Sequence, residues 1–406
     1  MDNQPAVATR DRSPSLTGLR AWAAGTVVVY HLSTEVGQLP VFSELFRFGR
    51  MGVTLFFVLS GFVLTYTYDG RRISKRTFYW RRFVRIWPLH ILVLAGSAAV
   101  LIALGATLSA KHLAPSVVLL HAWLPNSRIV GDTVGASWSL SDEAFFYALF
   151  PFLLPFVAKR FRYWRQTIAI LFGCYAAYFV IVSLTLHGYT QSWALDYLPV
   201  VRISQFIAGM AIGVAFKRGV KAPVSLRMAL LLTIGWVAVT LVWARVPWDF
   251  PFQPYSGSQA FAFPVFALLI WALAERDRAG RSPWLVASPI AIRLGHWSYA
   301  WYLAHKVTFP VWTRIAGQPH TGRQIALAWV VIFVSSLILA GLLYQLWERP
   351  VERWLKPRLL GREGPPSGSG PTAGGSTGSH PTGGDSPDPS PLPAASAAGP
   401  PSPAQA

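Results

Sequence analysis

The sequence is poor in charge, in acidic side chains and in cysteine, and each shortage excludes a class of protein. Only 13% of the 406 residues are charged, about half the share of a soluble domain, and 53% are hydrophobic. The 17 acidic residues are outnumbered by 36 lysines and arginines. The single cysteine, Cys174, excludes an internal disulfide and any cysteine-based metal cluster. This composition is typical of a polytopic membrane protein.

Two sequence signals are also missing. Residues 1–14 are polar and the apolar stretch after them has no small-residue cleavage site, so we expect a retained first span and no cleaved signal peptide. Neither a His-x-x-x-Asp nor an HExxH pattern occurs, so we expect no metal ion and no tightly bound cofactor. Residues 361–406 are rich in Gly, Pro, Ser and Ala and cannot bury apolar surface, which predicts a disordered C-terminal tail.

Apolar segments of membrane-spanning length recur along the remaining chain. They predict an all-α integral membrane protein, a bundle of about ten transmembrane helices, near residues 16–33, 51–68, 87–108, 140–158, 166–186, 198–216, 227–245, 259–275, 297–315 and 324–347. The predicted organisation is a cytoplasmic segment at 1–14, a membrane domain at 15–358 and the tail at 361–406.

The cations are concentrated in alternate connections between these segments. DGRRISKRTFYWRRFVR, between the second and third segments, holds seven cations and one anion, whereas the loops at 187–197 and 246–258 are nearly neutral. The positive-inside rule therefore predicts a multi-pass plasma-membrane protein with both termini in the cytoplasm. Because the cations lie in short loops and not on one soluble module, we expect no nucleic-acid partner, and anionic lipid or an anionic cytosolic substrate instead.

The first segment, Leu16 to Ser33, carries Arg20 and His31 in an otherwise apolar stretch. Ionisable side chains are costly in hydrocarbon and often mark a functional site. The two residues are eleven positions apart, so on a helix they share one face, about 16 Å apart along the axis. A snorkelling arginine and a histidine satisfied by packing would be the structural alternative.

Six short motifs in a fixed order resemble one protein family. They are SLTGLRAWAAGTVVVYH, GVTLFFVLSGFVLTY, RRFVRIWPLH, WSLSDEAFFYALFP, SYAWYLAH and WERPVERWL. Together they resemble the acyltransferase-3 family of integral membrane acyltransferases, over residues 14–356. The resemblance implies transfer of an acyl group from acyl-CoA, acetyl-CoA being the expected co-substrate, to a hydroxyl group. The acceptor would be a carbohydrate, a surface glycan, or a glycosylated or macrolide natural product.

The resemblance also implies roles for individual residues. His31 would be the catalytic general base, with Glu143 as its partner and Asp142 as a competitor for that role. Arg82 and Arg85 lie three apart, on one helix face, and guanidinium groups match phosphate oxygens in geometry. We therefore expect Arg82, Arg85 and Arg20 to hold the phosphates of acyl-CoA on the cytosolic side, with a pure topology signal as the alternative. The expected substrate-binding residues are Trp138, Ser139, Tyr302 and His305.

Two functions without chemistry are compatible with the same residues. A transporter of a lipid-linked or secondary metabolite also needs polar residues within its spans. A binding or scaffolding membrane protein would not require Arg20 and His31 on one face.

Overall fold

The computed structural model describes residues 13–39, 43–71, 74–131, 135–245 and 258–360, and in these ranges the chain is helical with no strand. Nearly all of the predicted cytoplasmic N-terminal segment and the whole predicted tail at 361–406 lie outside the described residues. The all-α prediction is confirmed.

Ten long helices form the body of the described chain. They are α1 (Pro14–His31), α3 (Met51–Tyr68), α4 (Lys75–Ala103), α7 (Trp138–Lys159), α8 (Trp164–Thr185), α10 (Pro199–Lys217), α11 (Leu226–Arg245), α12 (Phe263–Arg278), α14 (Pro289–Ala316) and α15 (Gly322–Leu343). Shorter helices are α2 (Ser43–Arg47), α5 (Ala110–Val117), α6 (Ser127–Gly131), α9 (Gly188–Asp196), α13 (Trp284–Ala287) and α16 (Arg349–Leu360). Turns of π-helix occur at Leu32–Val36 and Tyr344–Glu348, and 3₁₀ turns at Phe48–Arg50, His121–Trp123, Phe161–Tyr163 and Ser258–Ala262.

Each of the ten predicted segments overlaps one long helix. In the described part of the chain, eight helices are long and apolar enough to cross a membrane, and α1 and α14 are not among these eight. Both helices carry charged and other polar side chains, among them Arg20 and His31 on α1 and His305 and Lys306 on α14, which lower their mean hydropathy. The two polar helices pack against each other inside the bundle.

The parallel pair α1 and α14 is held close by glycines. A Cβ atom added to Gly295 of α14 would lie 2.0 Å from the carbonyl oxygen of Thr17 in α1. One added to Gly18 of α1 would lie 3.2 Å from Cβ of Ala291 in α14 and 1.8 Å from the carbonyl oxygen of Val286 in the adjoining α13. α3 and α10 meet in the same way, because a Cβ on Gly61 would lie 2.1 Å from the Phe206 carbonyl oxygen. Small residues let membrane helices approach this closely.

The helices alternate in direction, which gives the bundle two distinct ends. At one end α1 begins beside the last turn of α12, where the backbone N–H of Ser15 donates to Asp277 at 3.1 Å. The cation-rich connections lie at this end, between α3 and α4, between α7 and α8 and between α10 and α11. We call it the basic end. His31, the last residue of α1, lies toward the opposite end.

Candidate functional site

His31 is oriented by a carboxylate at the C-terminus of α1. The backbone widens from α-helix to π-helix directly after His31, and Glu35 lies in this turn. The Nδ1 atom of His31 is 2.8 Å from Oε1 of Glu35, and Lys306 of α14 forms an ion pair with the same oxygen. Burial alone would raise the pKa of the Glu35 carboxyl, but the hydrogen bond with His31 and the charge of Lys306 lower that pKa to about 2.

The ionised carboxylate fixes the protonation of the ring. Glu35 can only accept, so in a neutral His31 the Nδ1 atom carries the hydrogen and donates a hydrogen bond to Glu35. Nε2 then keeps its lone pair. The His31 side chain is 15% exposed, so this nitrogen lies in a partly open site. A histidine placed in this way can act as a proton acceptor.

A second imidazole lies beside the first. The ring centres of His31 and His305 are 5.1 Å apart. Nδ1 of His305 contacts the carbonyl oxygen of Trp301 at 3.2 Å, whereas Nε2 is buried with no hydrogen-bond partner in the described chain. A buried polar atom without a partner is costly, so this nitrogen is available to a hydrogen-bond donor on a ligand.

Glu143 does not contact His31, so the predicted partnership between these two residues is wrong. Its Oε1 accepts hydrogen bonds from Ser60 of α3 at 3.1 Å and from Tyr147 of α7 at 2.8 Å. The reason is the direction of α7, which turns Glu143 toward α3 and the middle of the bundle. The carboxylate at His31 comes from the turn after α1 itself.

Asp142, the competing residue, is also not the partner of His31. It is fully buried, and neither of its carboxylate oxygens has a hydrogen-bond partner in the described chain. Arg202 of α10 is the cation that acts on its charge. The guanidinium carbon of Arg202 lies 5.6 Å from the centre of the Trp138 ring. Asp142 therefore belongs to the α7–α10 interface.

A small cavity lies in the middle of the bundle, between the two ends. Its volume is about 50 Å³, and its polar lining comes from the three helices α1, α7 and α14: Arg20, Ser139, Glu143, Ser298, Tyr299 and Tyr302. Nε of Arg20 donates to Oγ of Ser298 at 3.4 Å, and Arg20 makes no ion pair with a carboxylate of the described chain. An unpaired guanidinium at this depth is a candidate anchor for a polar ligand.

Of the four predicted substrate residues, Ser139 and Tyr302 line the cavity and His305 lies beside it, whereas Trp138 is in the core. The Tyr302 hydroxyl is 2.7 Å from Oγ of Ser139, and the Tyr302 and His305 rings are 6.3 Å apart. Trp138 packs edge-to-face on Tyr197 at 5.0 Å and contributes to the core between α7 and α10. The Arg202 guanidinium lies over its ring, and the Trp138 side chain is buried.

The two arginines of the Arg-x-x-Arg motif have different surroundings. Arg85 forms ion pairs with Glu348 and, at 3.2 Å, with Glu352 of α16, so its charge is already neutralised. Arg82 has no carboxylate partner in the described chain. Its guanidinium donates to the Tyr68 hydroxyl at 3.4 Å and lies 5.7 Å from the centre of the Tyr147 ring. A shared helix face therefore does not give the two guanidinium groups equal freedom to bind phosphate.

Polar groups connect Arg82 to His31 through the bundle. Tyr147 lies beside Arg82 and donates to Glu143, which lines the cavity with Tyr302, and Tyr302 leads to His305 and His31. We call these side chains, together with Arg20 in the wall of the same cavity, the polar line; it runs from the basic end to the opposite end.

Comparison with known proteins gives the family of the chain. A model of the acyltransferase-3 family, described as an acyltransferase domain, matches residues 13–345. The chain belongs to the acyltransferase-3 family. It is a membrane-embedded acyltransferase.

Relatives in this family include three named proteins. The acyltransferase MdmB of Streptomyces mycarofaciens is 32% identical, with 87% of this chain and 94% of MdmB covered. The exopolysaccharide production protein ExoZ of Rhizobium meliloti is 26% identical, with 80% and 95% covered. The O-acetyltransferase OatA of Staphylococcus aureus is 24% identical, with 84% of this chain and 57% of OatA covered. No solved structure matches the chain.

Sequence reasoning missed Glu35 and Lys306 in this acyltransferase. Glu35 follows His31 by four positions, a spacing that brings side chains together on a helix. The predicted apolar segment ends at Ser33 and therefore does not include Glu35. Lys306 adjoins His305, and its contact with the turn after α1 depends on the pairing of α1 with α14. In the described ranges no group of three histidine, cysteine, aspartate or glutamate side chains is placed to hold a metal ion.

Proposed function

We propose that this acyltransferase transfers a short acyl group from acyl-CoA to a hydroxyl group, with His31 as the general base. The observation that carries the proposal is the contact of His31 with Glu35, which leaves the Nε2 lone pair free. A carboxylate that orients an imidazole and stabilises the imidazolium is the arrangement of catalytic triads.

The reaction needs one base and no further reagent. Nε2 of His31 removes the proton of the acceptor hydroxyl as its oxygen attacks the thioester carbonyl carbon. A C–O bond forms and the C–S bond breaks, and the imidazolium returns the proton to the departing thiolate. The products are an ester and free coenzyme A. Glu35 stays ionised throughout and stabilises the transient charge on His31.

The donor would be bound at the basic end. Arg82 is the arginine whose charge is free for a phosphate group, and Arg20 is the next unpaired guanidinium along the polar line. The axial distance from Arg20 to His31, about 16 Å by helix rise, suits an extended pantetheine arm that carries the thioester toward His31. In this proposal Arg85 fixes α16 to α4 and does not contact the donor.

A short acyl group is favoured by the narrow path. The central cavity holds only about 50 Å³, and Val53, Phe56 and Phe57 form its apolar wall. Room of this size accommodates acetyl more readily than a long chain. The buried Nε2 of His305 lies beside His31 and is placed to accept a hydrogen bond from the acceptor or the pantetheine arm.

The names of the relatives suggest the class of acceptor. OatA is named an O-acetyltransferase, ExoZ an exopolysaccharide production protein and MdmB an acyltransferase. We propose a hydroxyl of a carbohydrate, a surface glycan, or a glycosylated or macrolide natural product. We further propose that the basic end faces the cytosol and that the protein resides in the plasma membrane.

The function is tested with protein purified into lipid nanodiscs. Acetyl-CoA labelled in the acetyl group is supplied, and the release of free thiol is followed, with water as the acceptor. Mass spectrometry of surface glycans and metabolites from a deletion strain then identifies the acetylated acceptor. A transporter without chemistry would release no thiol above empty nanodiscs, and the deletion strain would keep every acyl ester.

The orientation is tested in cells after Cys174 is replaced by Ala. A cysteine at Lys159, at the basic end, should resist an impermeant thiol reagent, and one at the exposed Thr190 should react. The reverse pattern would put the donor site on the outer side.

A further inference from the structure

Two cavities outside the catalytic path both have α11 and α12 in their walls. The first, of about 480 Å³, is at the basic end, and Leu226 of α11 and Arg276 of α12 are in its wall. The second, of about 760 Å³, lies farther along the bundle and contacts Val237 of α11 and Leu269 of α12. Neither contains His31, Arg82 or any residue of the polar line.

Helical spacing places the two cavities along shared faces. Leu226, Thr233 and Val237 are seven and four positions apart, so they lie on one face of α11. On α12, Leu269, Ala272 and Arg276 are three and four apart and also share a face. From Leu226 to Val237 the helix rises about 16 Å, close to half of a bilayer's hydrocarbon thickness.

The cavity at the basic end is cationic. Lys221, Arg227 and Arg276 line it with one acidic residue, Glu275, which is 3.9 Å from Arg278. The three lining cations are exposed, and their side chains make no ion pair or hydrogen bond within the described chain. Three unpaired cations against one paired carboxylate favour an anionic group.

The second cavity is apolar. Trp22, Gly25, Phe46 and Leu285 are among its lining residues, and it opens between α1 and α14 on one side and α11 and α12 on the other. α11 itself is mostly exposed along its apolar side, with Ile234 at 64%, as expected of a helix that faces lipid. A groove of this kind fits a hydrocarbon chain.

We propose that the two cavities together bind one anionic phospholipid. Its phosphate is held by Lys221, Arg227 and Arg276, and an acyl chain extends along α11 and α12 into the apolar groove. A soluble phosphate compound would use the cationic cavity alone, and a zwitterionic lipid would bring a second cation into it. The cationic cavity binds the negatively charged headgroup, and the apolar groove, about half a bilayer long, binds an acyl chain. Only an anionic lipid satisfies both.

The proposal is tested by native mass spectrometry of the full chain. Protein is mixed with dioleoyl phosphatidylglycerol or with dioleoyl phosphatidylcholine, which have the same chains and differ in headgroup charge. The wild type should retain one phosphatidylglycerol at least tenfold better than phosphatidylcholine. The variant K221Q/R227Q/R276Q should lose this preference. The matched control R160Q/R162Q/R165Q, which removes three arginines that stack on aromatic rings in the α7–α8 connection, should keep it.

A variant that fills the groove tests the acyl-chain half of the proposal. Thr233→Trp should reduce retention of dioleoyl phosphatidylglycerol while its thermal unfolding stays close to that of the wild type. Glycerol 3-phosphate should not displace the lipid from the wild type. Equal retention by the K221Q/R227Q/R276Q variant, equal retention of phosphatidylcholine, or displacement by glycerol 3-phosphate would overturn the proposal. Acyl transfer by His31 variants is a separate measurement, so failure here leaves the proposed function untouched.

Discussion

The charged side chains at the two ends of the polar line differ in whether they are paired. At the opposite end His31, Glu35 and Lys306 form a short chain in which each charged group has a partner. Toward the basic end Arg20 and Arg82 have none among the described carboxylates, although Arg85, three residues from Arg82, has two. Paired groups are held in one geometry, which suits proton transfer, whereas an unpaired guanidinium is free to take a ligand phosphate.

The largest effect is expected at the paired end. His31→Gln should lower the turnover of thiol release from acetyl-CoA by about a hundred- to ten-thousand-fold, because glutamine forms hydrogen bonds but cannot accept a proton at neutral pH. Turnover is measured in nanodiscs at saturating donor. Folded His31→Gln protein with near-normal turnover would move the base elsewhere, with His305 as the next candidate.

Arg82 and Arg85 provide the sharpest contrast within one motif. Arg82→Gln should weaken coenzyme A binding about ten- to a hundredfold, the value of one charge-assisted contact. Arg85→Gln should change that affinity little. It should instead lower the free energy of unfolding by about 3 kcal/mol, since Glu348 is left buried without its cation.

Binding and thermal unfolding separate the two arginines. The double variant R85Q/E348Q should regain part of the lost stability, because the unpaired carboxylate is removed with its partner. If Arg85→Gln weakened coenzyme A binding as much as Arg82→Gln, both arginines would contact the donor, as the motif alone predicts.

Substitution of Glu35 tests whether its hydrogen bond with His31 contributes to the reaction. Glu35→Gln should reduce turnover about ten- to a hundredfold, less than His31→Gln, because it removes one charge-assisted hydrogen bond. In a His31→Gln background the same change should have no further effect, since the ring it orients is gone. Thr34→Ala, one residue away, is the matched control. Additive losses in the double variant would assign Glu35 to stability alone.

The smallest effect is expected at the cavity between the ends. Tyr302→Phe should lower the free energy of unfolding by about 1 kcal/mol through loss of its hydrogen bonds to Ser139 and to the Ala136 carbonyl oxygen, and should also slow turnover by a few fold. Tyr178→Phe removes a comparable hydroxyl, bonded to the Ala194 carbonyl at 3.1 Å and remote from the polar line. It should reduce stability to a similar degree and leave turnover unchanged. Equal effects on turnover would give Tyr302 no role beyond packing.

Hydrophobic segments and their order were enough to predict the bundle and its ten long helices. Each segment carries its signal locally, in an apolar run bounded by charge. The sequence also placed His31 and Arg20 on one face of α1. The close pairing of α1 with α14 follows from glycines on two helices far apart in the chain, and no local pattern connects them.

The partners of the charged residues were not predictable in the same way. Glu143 and Glu35 are both carboxylates that could be paired with His31. Glu143 is not its partner because α7 directs this side chain toward Ser60 of α3. Arg82 and Arg85 are equivalent by spacing. They differ because the chain returns to α4 with Glu348, just before α16, and Glu352 of α16, and both contact Arg85. Tertiary contacts therefore decided which charges are free.

We propose that the donor is held at one end of the polar line and reacts at the other. Coenzyme A affinity and maximal turnover, measured side by side for Arg82→Gln and His31→Gln, test this division most directly. We expect Arg82→Gln to lose affinity and keep most of its maximal turnover, and His31→Gln to keep affinity and lose turnover. A loss of both quantities together in both variants would contradict it.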